Sequence, residues 1–314
     1  MTSRQGTALG LVAIFLWSSI VGLLRLVSED FGPVAGAALV YTLGAVLQLL
    51  LCGWPKVHLM PKHYLIIGSI LFVAYELCLS LSIGLAHHRV QAIEVGMVNY
   101  LWPGLTVAVA VLLGIQRFKV GLLIGLIVSF TGISWVLSGQ GEWSLNQMLL
   151  RVGAAPTSYV MAFCGAVIWA VYCNVTTLMA KGHNGIVIFF SLTAITLWSQ
   201  YAVSDVTTLS LASFSWSSIA TLLMAAVAMG GGYAAWNLGI LHGNMTLLST
   251  LSYFVPVFSA VLAAWQLSTA LGYAFWIGAG LVVVGSLMCW WATRAAPPRQ
   301  VSAVIDEASG DPLS

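Results

Sequence analysis

The feature that most restricts this chain is a proline set inside an apolar stretch, and set there twice. Residues 91–113 read QAIEVGMVNYLWPGLTVAVAVLL. A helix crosses the core of a bilayer with about 20 mostly apolar residues, so this stretch is long enough to span. Yet Glu94, Asn99, Tyr100, Trp102 and Pro103 interrupt it. Pro103 has no N–H, so the carbonyl of Asn99 loses its helical donor. In hydrocarbon a freed carbonyl needs another partner. Residues 252–256, SYFVP, repeat the arrangement: Tyr253 follows Tyr100, and Pro256 follows Pro103, by 153 positions each.

Composition says how much of the chain shares this environment. Of 314 residues, 60% are hydrophobic and 6% are charged. A soluble domain carries about 25% charged residues, so this is an all-α polytopic membrane protein in contact with lipid. Net charge is +2 with no basic cluster, which argues against a nucleic-acid partner. The first apolar run follows MTSRQGTALG without a small-residue cleavage site and is expected to stay as a first helix. Cys52, Cys78, Cys164, Cys173 and Cys289 are odd in number, lack CxxC spacing and lie in apolar runs. They read as small buried apolar residues and not as a disulfide framework.

Ten spans are expected, at about 8–27, 33–53, 63–86, 91–113, 118–138, 157–180, 184–203, 216–241, 244–264 and 271–292. With the N-terminus inside, the inner face carries Arg4, Lys56, Lys62, Arg117, Lys119, Lys181, Arg294 and Arg299. The outer face then carries only Arg89 and Arg151, so both termini are expected in the cytoplasm. Trp17 matches Trp169 at a spacing of 152, and Gly125 and Gly132 match Gly278 and Gly285 at 153. His87 matches His242 at 155. Each copy holds five spans, an odd number, so the second must enter the membrane from the other side. The expected fold is ten transmembrane helices in two inverted five-helix repeats, 5+5, the plan of secondary transporters with a midplane site. The repeats cover 1–138 and 157–292. An extracytoplasmic linker fills 139–156, and a disordered cytoplasmic tail fills 293–314.

Ionisable groups within spans are functional candidates. Glu76 lies deep in span three. Arg25 reaches a similar depth in span one and either pairs with Glu76 or turns to Glu29 four residues on. Glu94 lies one turn into span four near Arg89, as an interfacial charge or as part of a site. His87, His88 and His242 fall at span ends and read as interfacial. Asn174 and Asn237 lie inside spans, where an amide either joins helices or meets a solute. Trp17, Tyr75, Tyr100, Trp102, Trp169, Tyr172, Trp236 and Tyr253 lie mid-span and could line a cavity for a planar or cationic ligand. The Gly230-Gly231-Gly232 run is expected to loosen span eight, as a hinge or as a close contact. No Walker A loop, HExxH, GxSxG or metal-ligand spacing occurs, so neither an ATP-driven pump nor a metal site is supported, and no cofactor is expected. The acid–base groups stand at different depths, which argues against an enzyme.

The five-plus-five plan, with the Asn-Tyr-Leu-Trp-Pro stretch ending at Pro103, Trp17 in span one and the Tyr-x-x-Pro of span nine, resembles the drug/metabolite transporter superfamily with EamA-type repeats. The likeness covers about residues 8–292. It implies an inner-membrane exporter of phenylalanine, tyrosine and tryptophan, with tolerance for other amino acids, expected to act as a monomer. A carrier of the same fold for quaternary amines, drugs or other metabolites is the alternative. Under the transporter reading, Trp17, Tyr100, Trp102 and Trp169 meet the substrate ring. Asn99 and freed carbonyls meet its ammonium, Glu76 is a coupling or structural carboxylate, and Pro103 and Pro256 permit bending.

Overall fold

The computed structural model describes residues 1–139, 142–204, 209–210 and 213–293. The tail expected after Thr293 lies outside these residues. Among them the regular elements are helical, and no strand occurs. Helices α1 (Ser3–Ser18) and α2 (Ile20–Phe31) form one apolar run bent by 44°. The sequence reading drew this span straight. The bend has a local cause: Ser18 Oγ donates to the Ile14 carbonyl at 2.7 Å, and Ser19 Oγ to that of Leu16 at 2.7 Å. Hydroxyls that bond back to carbonyls in this way bend helices.

Helices α3 (Pro33–Cys52) and α4 (Lys62–Gly84) follow. The proline-bearing stretch is two helices, α5 (Arg89–Asn99) and α6 (Trp102–Leu112), with Tyr100 and Leu101 between them. Pro103 falls in the first turn of α6, where its missing N–H is not needed. Helix α7 (Val120–Ser138) ends the first half. The linker expected at 139–156 contains a ten-residue helix, α8 (Leu145–Ala154), capped where Ser144 accepts from the Gln147 N–H at 3.3 Å. Its apolar residues were too few for a span, so the sequence reading left it as a connection.

The second half runs through α9 (Pro156–Met179), α10 (Ile186–Ala202) and α11 (Trp216–Ala226). A π-helical turn (Val227–Gly231) then leads into α12 (Gly232–His242). The glycines let that turn touch α3: Gln48 Nε2 donates to the Gly230 carbonyl at 2.5 Å. A Cβ on Gly230 would stand 2.9 Å from the Gly44 carbonyl oxygen. Helices α13 (Met245–Ser252) and α14 (Val255–Gln266) break at Tyr253–Phe254, with Pro256 in the first turn of α14. Helix α15 (Tyr273–Thr293) closes the described chain.

Seven segments are long and apolar enough to cross a bilayer by themselves: α3, α4, α5–α6, α7, α9, α11–α12 and α15. The bent α1–α2 pair makes an eighth, while α10 and α14 are apolar but shorter. The ten-span expectation is thus met in full only by counting bent and short helices. Cys52 and Cys164 are exposed and not buried as expected, because they face outward from α3 and α9.

The most extensive helix contact is α7 against α15, which run antiparallel. A Cβ on Gly125 would stand 2.7 Å from the Gly285 carbonyl oxygen, and one on Gly132 2.6 Å from that of Gly278. Between them Ser129 Oγ donates to the Val282 carbonyl at 3.4 Å. Elsewhere α4 packs on α9, α1 on α12 and α3 on α10. Gly10 meets Gly239 at the α1–α12 contact. Small residues let backbones approach this closely where water cannot drive association.

Candidate binding cavity

The four helix breaks converge. Trp17 next to the bend, Asn99, Tyr100 and Trp102 around the first proline break, Met229 in the π turn, and Ser252 and Val255 at the second proline break all line one cavity. Its volume is about 470 Å³, within the ~300–1,000 Å³ of small-molecule sites. A backbone that departs from the α-helix inside a membrane is tolerated where it lines a cavity or is covered by protein.

The cavity brings together nine of the sequence candidates: Trp17, Tyr75, Glu76, Asn99, Tyr100, Trp102, Trp169, Tyr172 and Trp236. Asn237 instead lines a second cavity behind α12. Tyr253 turns away and packs beside Trp290, ring centroids 6.1 Å apart. Tyr233, Thr176 and Thr177 also line the cavity and were missed. The sequence marked the glycines before Tyr233 only as a loosened stretch. Nothing in it said that the π turn would aim the next aromatic side chain inward.

The rings form a continuous wall. Trp169 stacks on Tyr172 with centroids 4.9 Å apart and lies 4.3 Å from Tyr75. Trp17 meets Tyr233 edge-on at 5.3 Å and Trp236 at 5.2 Å. Trp102 meets Trp169 edge-on at 6.4 Å. Offset and edge-on geometries suit the ring quadrupoles.

Glu76 is the carboxylate on this lining and is fully buried. Tyr41 donates to its Oε2 at 2.6 Å and Tyr233 to its Oε1 at 2.9 Å. Among the described residues no Lys or Arg lines the cavity. The Arg25–Glu76 pair does not form. Arg25 Nε instead donates to Glu29 Oε1 at 2.9 Å, and its Nη1 to the Ala86 carbonyl at 2.5 Å. The bend at Ser19 and the nearby partner at i+4 carry the guanidinium toward the helix end. Arg89 grips the same Glu29 at 2.7 Å and donates to the Leu267 carbonyl at 3.0 Å. With Arg89 so engaged, Glu94 pairs with Arg151 of α8 and accepts from Tyr159 at 2.8 Å. Asn174 joins helices: its Nδ2 donates to the carbonyls of Thr106 and Ala170 at 3.0 and 2.9 Å. Asn99 is buried, and its Oδ1 has no partner among the described residues.

Comparison with known proteins adds a family. Residues 156–291 match the EamA-like transporter family. Over 294 residues the chain is 50% identical to the aromatic amino acid exporter YddG of Salmonella typhimurium, covering 94% of this chain and 99% of that one. The chain belongs to the YddG family. The YddG of Escherichia coli K12 is 47% identical over the same shares of the two chains. A solved structure titled "Crystal structure of protein" superposes with a TM-score of 0.63 over 93% of this chain and 99% of that one. At 23% identity it shows a shared fold alone. These relatives are named aromatic amino acid exporters.

Proposed function

We propose that this chain exports aromatic amino acids across the bacterial inner membrane by alternating access. The observation that carries the reading is the cavity of about 470 Å³ lined by Trp17, Tyr100, Trp102, Trp169 and Tyr233, without fixed positive charge. It is supported by the near-full-length identity to two proteins named aromatic amino acid exporters. Aromatic side chains stack on the substrate ring. The unpartnered Asn99 Oδ1 accepts from the substrate ammonium, and Glu76 supplies the negative charge that an ammonium or a proton offsets.

The architecture belongs to the same reading. Ten spans, counting α1–α2, α5–α6, α11–α12 and α13–α14 as one each, divide into two inverted halves over 1–138 and 157–292. Residues 139–156 form an extracytoplasmic linker, and both termini lie in the cytoplasm. The contacts support this division. A shift of 153 residues carries the Gly125–Gly285 contact onto Gly278–Gly132, and Ser129 onto Val282. Such exchange of partners is what a two-fold axis in the membrane plane produces. The ion-paired end, with Arg25, Glu29 and Arg89, is then the outer one. Trp236, Thr176 and Thr177 lie toward the inner ends of α12 and α9, so the cavity leans to the cytoplasm.

Counterflow of labelled phenylalanine in liposomes containing the purified chain tests the reading. Saturable flux, inhibited by tyrosine and tryptophan, is expected. Absence of saturable flux for any amino acid, with flux of quaternary amines instead, would replace the cargo and keep the fold.

A further inference from the structure

Helix α12 separates two cavities. Its Tyr233 and Trp236 face the ring-lined cavity. Its Ala234, Ala235 and Asn237, with Gly231 of the π turn before it, line a second space of about 600 Å³, walled on the far side by the end of α3, the loop after it, and the α9–α10 loop. We propose that this second space is a binding site for an anionic phospholipid of the inner leaflet. Its wall has two chemistries. Leu51, Trp54 and Leu59 line it and are 58%, 81% and 52% exposed. Exposed apolar side chains on a protein of this kind are surface for acyl chains, and Trp at the rim marks the headgroup level. Lys56 and His183 line the same space and offer N–H donors to a phosphate. No Asp or Glu occurs in 1–8, 53–62, 114–119, 181–185 or 242–245, and the acidic residues on this side of the chain, Asp306, Glu307 and Asp311, come more than ten residues after the end of α15. Lys56 forms no ion pair among the described residues. A zwitterionic solute arriving from water would have no use for leucines open to lipid. A two-tailed phosphate ester uses both parts of the wall. Basic pockets between spans on the cytoplasmic side take such headgroups.

Occupancy matters to transport because of what lies on the other face of α12. Tyr233 is one of the two phenols that hold Glu76. A lipid seated behind Ala234 and Ala235 braces the helix that presents this phenol. The inference rests on reading the apolar helices as membrane spans with the termini in the cytoplasm, and not on the choice of cargo.

The test uses the purified full chain in detergent, titrated with phosphatidylglycerol or phosphatidylcholine. Native mass spectrometry and thermal melting are the readouts. Phosphatidylglycerol is expected to bind and to raise the melting temperature, with phosphatidylcholine doing neither. Lys56→Gln is expected to weaken that binding about fivefold, the effect of one basic residue near a membrane surface. Lys56→Gln with His183→Gln is expected to remove it. Arg117→Gln, at the same end but outside the cavity, is expected to leave it intact. Equal binding of the two lipids overturns the proposal, as does equal loss in Arg117→Gln and Lys56→Gln. So does phosphatidylglycerol binding that survives the double change while phenylalanine binding is lost, which would make the space a solute vestibule. Lys56 is exposed and His183 half-buried, and a melt without lipid verifies that each variant folds. Lipid binding is read without any flux, so failure here leaves the export reading standing.

Discussion

The α7–α15 contact and the cavity wall use the internal repeat in opposite ways. At the contact, each residue of one copy meets what its counterpart meets in the other: Gly125 approaches Gly285, and Gly132 approaches Gly278. At the wall the copies part. Tyr100 lines the cavity, while Tyr253, its counterpart, packs beside Trp290. Glu76 is a buried carboxylate, while the matching stretch of the second copy, residues 229–231, is Met-Gly-Gly in a π turn. Backbone contacts that hold two halves together must satisfy both halves at once. A site for an asymmetric solute gains nothing from symmetry.

Breaking the wall at Glu76 is expected to have the largest effect. Glu76→Met takes the acceptor from the Tyr233 hydroxyl and leaves that of Tyr41 with Ser80 alone, at 3.2 Å; a buried donor left without a partner costs about 1–3 kcal/mol. Counterflow of phenylalanine is expected to fall by about 100-fold or more, equivalent to ~2.7 kcal/mol. Glu76→Gln keeps one acceptor and is expected to retain part of the rate but lose its pH dependence. Unchanged flux at every pH in Glu76→Gln would reduce Glu76 to a structural clasp.

The α7–α15 contact is broken by adding side chains. Gly125→Val and Gly278→Val are each expected to destabilise the chain by about 1–3 kcal/mol, the usual cost of overpacking. The symmetry prediction is that the two losses are alike, and that neither changes the KM of the protein that remains folded. Thermal melts in detergent measure this. Unequal losses would mean that the halves are joined less evenly than the contacts imply. The wall gives the contrasting result. Tyr100→Ala is expected to raise KM for phenylalanine about tenfold, as loss of a stacked aromatic pair does. Tyr253→Ala is expected to leave KM unchanged. If the two tyrosines behave alike, the asymmetry drawn here is wrong.

The same division governs what could be read from residues alone. Proline fixes backbone by its own chemistry, so Pro103 and Pro256 announced both breaks and where they fall. The glycines of α7 and α15 were legible as repeat matches and small residues, but that they face one another was not, because spacing does not say which spans meet. The bend at Ser18–Ser19 was not legible, since serines bond back to carbonyls in helices that stay unbroken as well, Ser69 in α4 and Ser191 in α10 among them. The π turn was half legible: three glycines permit it, but the carbonyl of Gly230 meeting Gln48 is a tertiary contact. Glu76 was legible as an expensive residue needing a partner. Its partners were not, because Tyr41 and Tyr233 come from distant spans. Arg25 was legible as a choice between Glu76 at a matching depth and Glu29 at i+4, and the structure takes the second.

The smallest expected effect lies at the start of each broken span. In the first copy His88 caps α5, its Nδ1 accepting from the Gln91 N–H at 3.1 Å. In the second Asn244 caps α13, its Oδ1 accepting from the Leu247 N–H at 3.1 Å. The two capping hydrogen bonds have the same length, yet only the imidazole titrates. Burial, then Arg151, His87 and Arg25, hold the His88 imidazole below its ordinary 6.5. The folded chain therefore binds this proton less readily than the unfolded chain does. The cap contributes fully above the ordinary histidine value and is lost as pH falls through the lowered folded one. His88 is exposed, so the loss is at the low end of the range for caps, about 0.5 kcal/mol. Hydrogen exchange at the Gln91 amide between pH 7 and pH 5, corrected for intrinsic rate, is expected to show a small loss of protection. The Leu247 amide is expected to show none. His88→Asn gives α5 the cap that α13 already has, and is expected to remove the acid sensitivity. If protection at Gln91 stays pH-dependent in His88→Asn, the titrating group lies elsewhere, and the two caps differ for a reason other than the imidazole.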